Sequence, residues 1–196
     1  DELGKFKLNH SRSGDVIVFA RKGYEIGYKG LKGSHGGISE EEFHVPLIIN
    51  KPEFADLTVN SDITVVFKIV LRYLNEKEAL RIASRYFEKS DPAHGLQHML
   101  RVLNLSTKLA LKYHADVEAL RIASIFHDAG KGVCKNDHEI KSASIAEEFL
   151  RRKGYSEVFI NKVKNIIVKH HEEPDVLKSI EEKILWDADK LDALGL

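Results

Sequence analysis

From about residue 75 to its end the chain reads as one amphipathic helix after another, and this run constrains the fold more than any other feature. "NEKEALRIASRYFEKS" (75–90) brings Leu80, Ile82, Ala83, Tyr86 and Phe87 near one face. "SDPAHGLQHMLRVLNLSTKLALKYH" follows, with Asp91 placed as an N-cap and Pro92 at the first helical position. "DVEALRIASIFHDAGKG" is a third helix, stopped by Gly130 and Gly132. "DHEIKSASIAEEFLRRKG", "SEVFINKVKNIIVKHH" and "DVLKSIEEKILWDADKLDALG" make a fourth, fifth and sixth, the fourth ended by Gly154 and the fifth before Pro174. Short connections make neighbouring helices pack on one another, so a mainly α fold is expected, an irregular helical bundle over residues 76–196.

Before residue 75 the character differs. Glycines are frequent, and "DVIVFA" (15–20) and "VPLIIN" (45–50) read as buried strands around the irregular loop "GYKGLKGSHGGISEEE". "SDITVVFKIVLRYL" (61–74) opens on a Ser–Asp capping signal and has apolar residues at helical spacing. Residues 1–75 are therefore expected to form a small α/β segment preceding the bundle.

Charge narrows the partners. Lysine plus arginine and aspartate plus glutamate number 30 each, which leaves no net basic field for nucleic acid or anionic membrane. No apolar run approaches the roughly 20 residues of a membrane span. The single Cys134 rules out an internal disulfide and suits a reducing cytoplasm. The oligomeric state is not legible.

Chemistry gathers in the ten histidines and a few aspartates. His94 and His98 are four apart on one helix and share a face. His127 and Asp128 close another helix, His138 opens a third, and His170 with His171 ends a fourth. Asp187, Asp189 and Asp192 lie on the last. Imidazole and carboxylate groups collected from several helix ends suit a hard or borderline divalent cation, Mn, Fe, Co, Mg or Zn. His10, His44 and His114 have no such company and take the ordinary structural or surface reading.

The ordered combination resembles the HD-domain superfamily of metal-dependent phosphohydrolases: a histidine in "DPAHGLQHMLRV", the pair in "ASIFHDAGK" and a distant aspartate in "WDADKLDALG". The resemblance implies an enzyme acting on a small phosphorylated substrate of nucleotide kind, a phosphate mono- or diester. It implies metal ligands His98, His127, Asp128 and Asp189, with Asp187 as the alternative to Asp189 and Asp192 as a support. Asp128 would also orient water or bridge two ions, Lys131 would meet a phosphoryl oxygen, and His94 would stand behind His98 or donate a proton. Arg101 would lock a carboxylate. His138, His170 and His171 resemble the extra histidines of members with binuclear centres, binding a second metal or phosphate. The Gly-Tyr-Pro signature of the HD-GYP phosphodiesterases is absent, since "HHEEPD" stands in its place. The competing expectation is a regulatory module that binds nucleotide or metal without turnover.

A second resemblance covers roughly residues 12–74. "GDVIVFARKGYEIGY" and "GLKGSHGGISEEEFHVPLII" look like the end of an alkaline-phosphatase-superfamily domain of the type I phosphodiesterase or nucleotide pyrophosphatase kind, in which the residue matching His35 binds zinc. One histidine cannot hold a catalytic zinc pair. The segment is thus expected to be the tail or remnant of such a domain, with the chain a piece of a longer protein and the helical part itself cut short at its C-terminus.

Overall fold

The structure is a computed structural model, and it describes residues 18, 20–21, 24, 46–58, 62–87, 95–134 and 136–194. The chain divides into two compact units, Asp1–Ile48 and Ile49–Leu196. Among the described residues of the second unit there are six α-helices: α1 (Val65–Phe87), α2 (Leu96–Tyr113), α3 (Val117–Phe126), α4 (His138–Arg152), α5 (Glu157–Val168) and α6 (Ile180–Ala193). None of them is long and apolar enough to cross a membrane.

The bundle is built around α3. Val117, Ala119, Leu120, Ile122, Ala123, Ser124, Ile125 and Phe126 are all buried, so this helix is apolar on nearly every side and has neighbours all round. It packs against α1, α2, α4, α5 and α6. Each fully buried large side chain, such as Leu120, Ile125 or Phe126, contributes about 1.5–3 kcal/mol of burial. The helix begins where Asp116 accepts the Ala119 N–H at 3.0 Å. Its one basic side chain, Arg121, donates to Thr107 on α2 at 2.7 Å and pairs with Glu76 on α1.

Three local arrangements position the histidines beyond α3. A 3₁₀ turn, Ala129–Gly132, leads out of that helix. Its Gly130 N–H donates to Ser142 Oγ at 2.8 Å, and a Cβ on Gly130 would lie 2.1 Å from the His138 carbonyl oxygen. Only glycine lets this turn press so closely on the start of α4. The 3₁₀ turn Lys169–His171 extends α5. Finally, Ser179 and Glu182 form a reciprocal capping box that starts α6.

Several sequence expectations change. The boundary expected at residue 75 falls inside α1, which runs unbroken through Asn75. Nothing there stops a helix, and both Arg72 and Asn75 are buried and partnered. Arg72 donates to both oxygens of Asp56 at 2.9–3.0 Å, and Asn75 donates to the Tyr155 hydroxyl at 3.3 Å. Residues 52–57 are fastened to α1 in this way. The strand expected at 45–50 is not formed: residues 46–49 are irregular and Ile48 is 90% exposed. Proline lacks the N–H that a ladder needs. Of "DVIVFA", Val18 and Ala20 are described and are irregular. The rest of that run, the glycine-rich loop and His35 lie outside the described residues. The sixth helix starts at Ile180, later than "DVLK" suggested, because the capping box fixes its entry and Pro174–Val176 forms a separate turn.

Candidate metal centre

The centre starts where the apolar run of α3 ends. Phe126 anchors the last turn, and His127 follows as the C-cap, still in helical conformation. The His127 ring is fully buried. Its Nδ1–H donates to the Ser124 carbonyl at 2.8 Å. A carbonyl can only accept, so Nε2 carries the lone pair and faces inward. There it meets His98 Nε2 from α2 at 3.2 Å. His98 Nδ1–H donates to Asp192 Oδ2 at 2.7 Å, and Arg101 grips the same carboxylate through Nε at 2.6 Å and a terminal nitrogen at 2.9 Å. Asp189, one turn earlier on α6, places Oδ1 at 3.2 Å from His98 Nε2 and 3.8 Å from His127 Nε2. One ligating atom from each of His98, His127 and Asp189 lies within 4.8 Å of the others.

A second group adjoins the first. His138 at the start of α4, His170 and His171 in the turn after α5, and Asp128 also bring ligating atoms within 4.8 Å of one another. His170 Nδ1–H donates to the Ile167 carbonyl at 2.5 Å, which again leaves Nε2 as the inward lone pair. Asp128 belongs to both groups. Its Oδ1 is 3.4 Å from His170 Nε2 and 3.6 Å from His138 Nε2. Its Oδ2 is 3.7 Å from both His98 Nε2 and His127 Nε2, and Lys131 Nζ contacts Oδ2 at 2.8 Å. The two oxygens of one fully buried carboxylate thus face two sets of histidines.

The surroundings set the charges. Burial pushes His127 down to about 4, and the nearby His170 and His98 add to that. The exposed ring His171 is also pushed down to about 4, by burial and then by His170, and burial lowers His138. These rings are neutral and able to ligate at neutral pH. For His98 burial opposes the charge, but Asp189 and Asp192 outweigh it and the pKa is raised. Burial works against ionising Asp128 and Asp189 too, yet their cationic and histidine neighbours hold both well below the usual carboxylate range.

The donors fit divalent cations. Metal–nitrogen and metal–oxygen bonds of roughly 2.0–2.2 Å separate neighbouring ligands by about 3–3.6 Å, and the 3.2 Å spacings around His98 Nε2 lie in that range. Among the described residues the buried His138 Nε2 and His170 Nε2 have no hydrogen-bond partner, a costly state for a polar atom unless a cation takes the lone pair. With nitrogen and carboxylate donors and no thiolate, both groups suit Mn, Fe, Co, Mg or Zn.

The structure brings together His98, His127, Asp128, Asp189, Lys131, His138, His170 and His171. Asp187 is exposed on the outer side of α6, so Asp189 is the aspartate in the cluster. Asp192 orients His98, and Arg101 locks that carboxylate. His94, like Asp91 and Pro92, lies outside the described residues, and α2 begins at Leu96 with Gly95 as its N-cap. His114 closes α2 in the left-handed conformation, away from the centre. Sequence reasoning missed the carbonyls of Ser124 and Ile167. A readable signal existed: each stands three residues before its histidine at a helix end.

The family model described as "HD domain" matches residues 95–194. A crystal structure titled "predicted HD superfamily hydrolase", from an uncultured Thermotogales bacterium, shares 30% identity, with 60% of this chain and 67% of that one covered and a TM-score of 0.54. No curated protein matches.

Proposed function

The chain belongs to the HD-domain family, a family of metal-dependent phosphohydrolases, and on that footing we propose that it hydrolyses a phosphate mono- or diester of nucleotide kind with divalent cations at the centre. The observation that carries this reading is the position of Asp128, whose two oxygens face two histidine groups. His98, His127, Asp128 and Asp189 would hold one ion; Asp128, His138, His170 and His171 would hold a second or meet phosphate. When bound, such ions supply Lewis acidity toward phosphoryl oxygen and make water a better nucleophile.

The remaining work falls to the chain's own groups. Asp128 is ionised at neutral pH, its pKa held well below the usual carboxylate range, and would accept a hydrogen bond from an attacking water and so orient it. Lys131 brings a positive charge to the same carboxylate and offers it to a phosphoryl oxygen, while His94 is proposed to stand behind His98. Asp192 and the Ser124 and Ile167 carbonyls hold three rings with Nε2 inward, so no reorientation is needed when phosphate arrives. We place the reaction in the reducing cytoplasm, on the strength of the single Cys134. The likeness of residues 12–74 to an alkaline-phosphatase-type tail, with His35 as a zinc residue, rests on motif alone.

The test is a metal-supplemented screen of the protein against mono-, di- and cyclic nucleotides and simple phosphate esters, with metal content measured alongside. Metal-stimulated hydrolysis, read as phosphate released from monoesters or as monoester formed from diesters and abolished by His127→Ala with helicity retained, is the expected result. Metal and nucleotide binding without turnover on any substrate would replace the enzyme with a regulatory module.

A further inference from the structure

Two lysines sit at the centre, on different carboxylates. Lys131 Nζ is 2.8 Å from Asp128 Oδ2. Lys190 Nζ is 3.2 Å from Asp189 Oδ2 and stands 5.8 Å above the ring centroid of Trp186, one turn earlier on α6. Trp186 is tied down: its indole N–H donates to the Glu172 carbonyl at 2.9 Å, and Glu172 directly follows His171. The indole therefore joins the helix that carries Asp189 to the turn that carries His170 and His171. Lys190 lies at the same seam. The Lys190 side chain is 38% exposed and Asp189's is 11% exposed, so the lysine is the more open to solvent of the two.

A single phosphoryl group at the shared Asp128 is served by Lys131 and the histidine groups. It gives no reason for a second ammonium, on another helix, beside the other carboxylate. A lysine is a strongly hydrated point charge on a flexible stem, and an ion pair with a neighbouring residue is easily exchanged for a better anion. We propose that Lys190, resting on Trp186, anchors a second phosphoryl group, so that the substrate carries two or more linked phosphates, as in a diphosphate or a longer polyphosphate ester. This rests on the phosphohydrolase reading and narrows it.

The chain supplies its own reporter. Trp186 is the sole tryptophan, so moving the ammonium off the indole changes the only tryptophan emission. The metal-loaded protein is titrated with inorganic pyrophosphate and, separately, with orthophosphate while that emission is followed. Pyrophosphate is expected to give a saturable change and to bind about tenfold or more tightly than orthophosphate. Lys190→Met should bring pyrophosphate down to the orthophosphate level, and Lys190→Arg should keep most of the difference. In turnover, Lys190→Met should raise KM for a diphosphate substrate by about tenfold or more with kcat little changed, circular dichroism confirming the fold. Equal affinity for the two anions, or pyrophosphate binding untouched in Lys190→Met, overturns the proposal and leaves the hydrolase reading standing. The expected pyrophosphate response in a protein that turns over nothing supports the Lys190 anchor and counts against the hydrolase reading alone.

Discussion

The two histidine groups share Asp128 but are built differently. In the first, His98, His127 and Asp189 are all buried, and they come from three helices that pack directly on one another. Two of its three ligands are held from behind, His127 by a carbonyl and His98 by an ion-paired carboxylate. In the second, His138 is half-buried and His171 exposed, and the donors come from the start of α4 and a 3₁₀ turn. Among the described residues, His170 alone of its histidines has a carbonyl behind it. The first group is a preorganised pocket, whereas the second is an open rim, shaped for an ion that exchanges or for a ligand that arrives from solvent.

The largest effect should come from the residue the two groups have in common. Asp128→Ala should remove both ions and lower turnover by on the order of 10³ or more, with helicity near that of the parent. Metal analysis and phosphate release measure this directly, and full metal content in the variant would show that the groups do not depend on the bridge. Next, where the second group holds an ion rather than phosphate, His170→Ala should take away that more weakly held ion and spare the other, so that metal per chain falls from two toward one. If the tightly held ion is lost instead, the ranking of pocket over rim is reversed.

A smaller effect tests the support behind the pocket. Asp192→Asn keeps the shape but withdraws the charge that fixes His98 with its Nδ1–H outward. Outer partners of this kind contribute about 10–100-fold in metal affinity. The loss should appear at the tighter site, by competition with a chromophoric chelator, and leave the rim site within a fewfold of the parent.

Much of the pocket is legible in the sequence, and much less of the rim. His98, His127–Asp128 and Asp189 stand out because their order along the chain resembles the HD-family pattern; helical spacing alone places only His127–Asp128, where the apolar run of α3 ends. The choice of Asp189 over Asp187 comes from "ADKL" within that resemblance, and the structure agrees in burying Asp189 with Leu185 and Ala188 on α6. The grouping of His138, His170 and His171 is legible only through the resemblance to members with binuclear centres; helical spacing does not give it, because it depends on Gly130 letting a turn close on α4 and on a 3₁₀ extension of α5. The strand expected at 45–50 fails for a similar reason: a β-branched run becomes a strand only if another strand pairs with it, and residues 46–49 are irregular.

The pH dependence of the metal-free protein compares the groups energetically. His127 and His171 are pushed down to about 4, and His138 is lowered as well. The unfolded chain, with histidines near 6.5, binds more protons than the folded one between about pH 4 and 6.5. Stability therefore rises with pH through that window and is lost as pH falls. His98 is raised and acts the other way: its contribution is full below 6.5 and lost as pH rises through its folded value. Three lowered rings outweigh one raised ring, so Tm should climb between pH 4 and 7, with His127 alone contributing on the order of 3 kcal/mol. His127→Asn should flatten the climb. A Tm that falls over this range would mean that the raised ring dominates.

The smallest expected effect concerns how the rim is tethered to the rest. Glu182 caps α6 by accepting the Lys178 N–H at 2.7 Å and the Ser179 N–H at 3.3 Å. It also accepts from Lys169 at 2.9 Å, in the turn that carries His170 and His171. The same side chain is thus both a helix cap and a strut for the second group. Glu182→Ala should cost about 1 kcal/mol of stability through the cap. It should weaken the rim ion a fewfold more than the pocket ion, because Asp189 lies nearly two turns along α6 and is fixed by its own packing against His98. Denaturant unfolding reads the first quantity and two-site metal titration the second. Equal weakening at both sites would mean that α6 moves as a rigid rod, and that the rim is no looser than the pocket it adjoins.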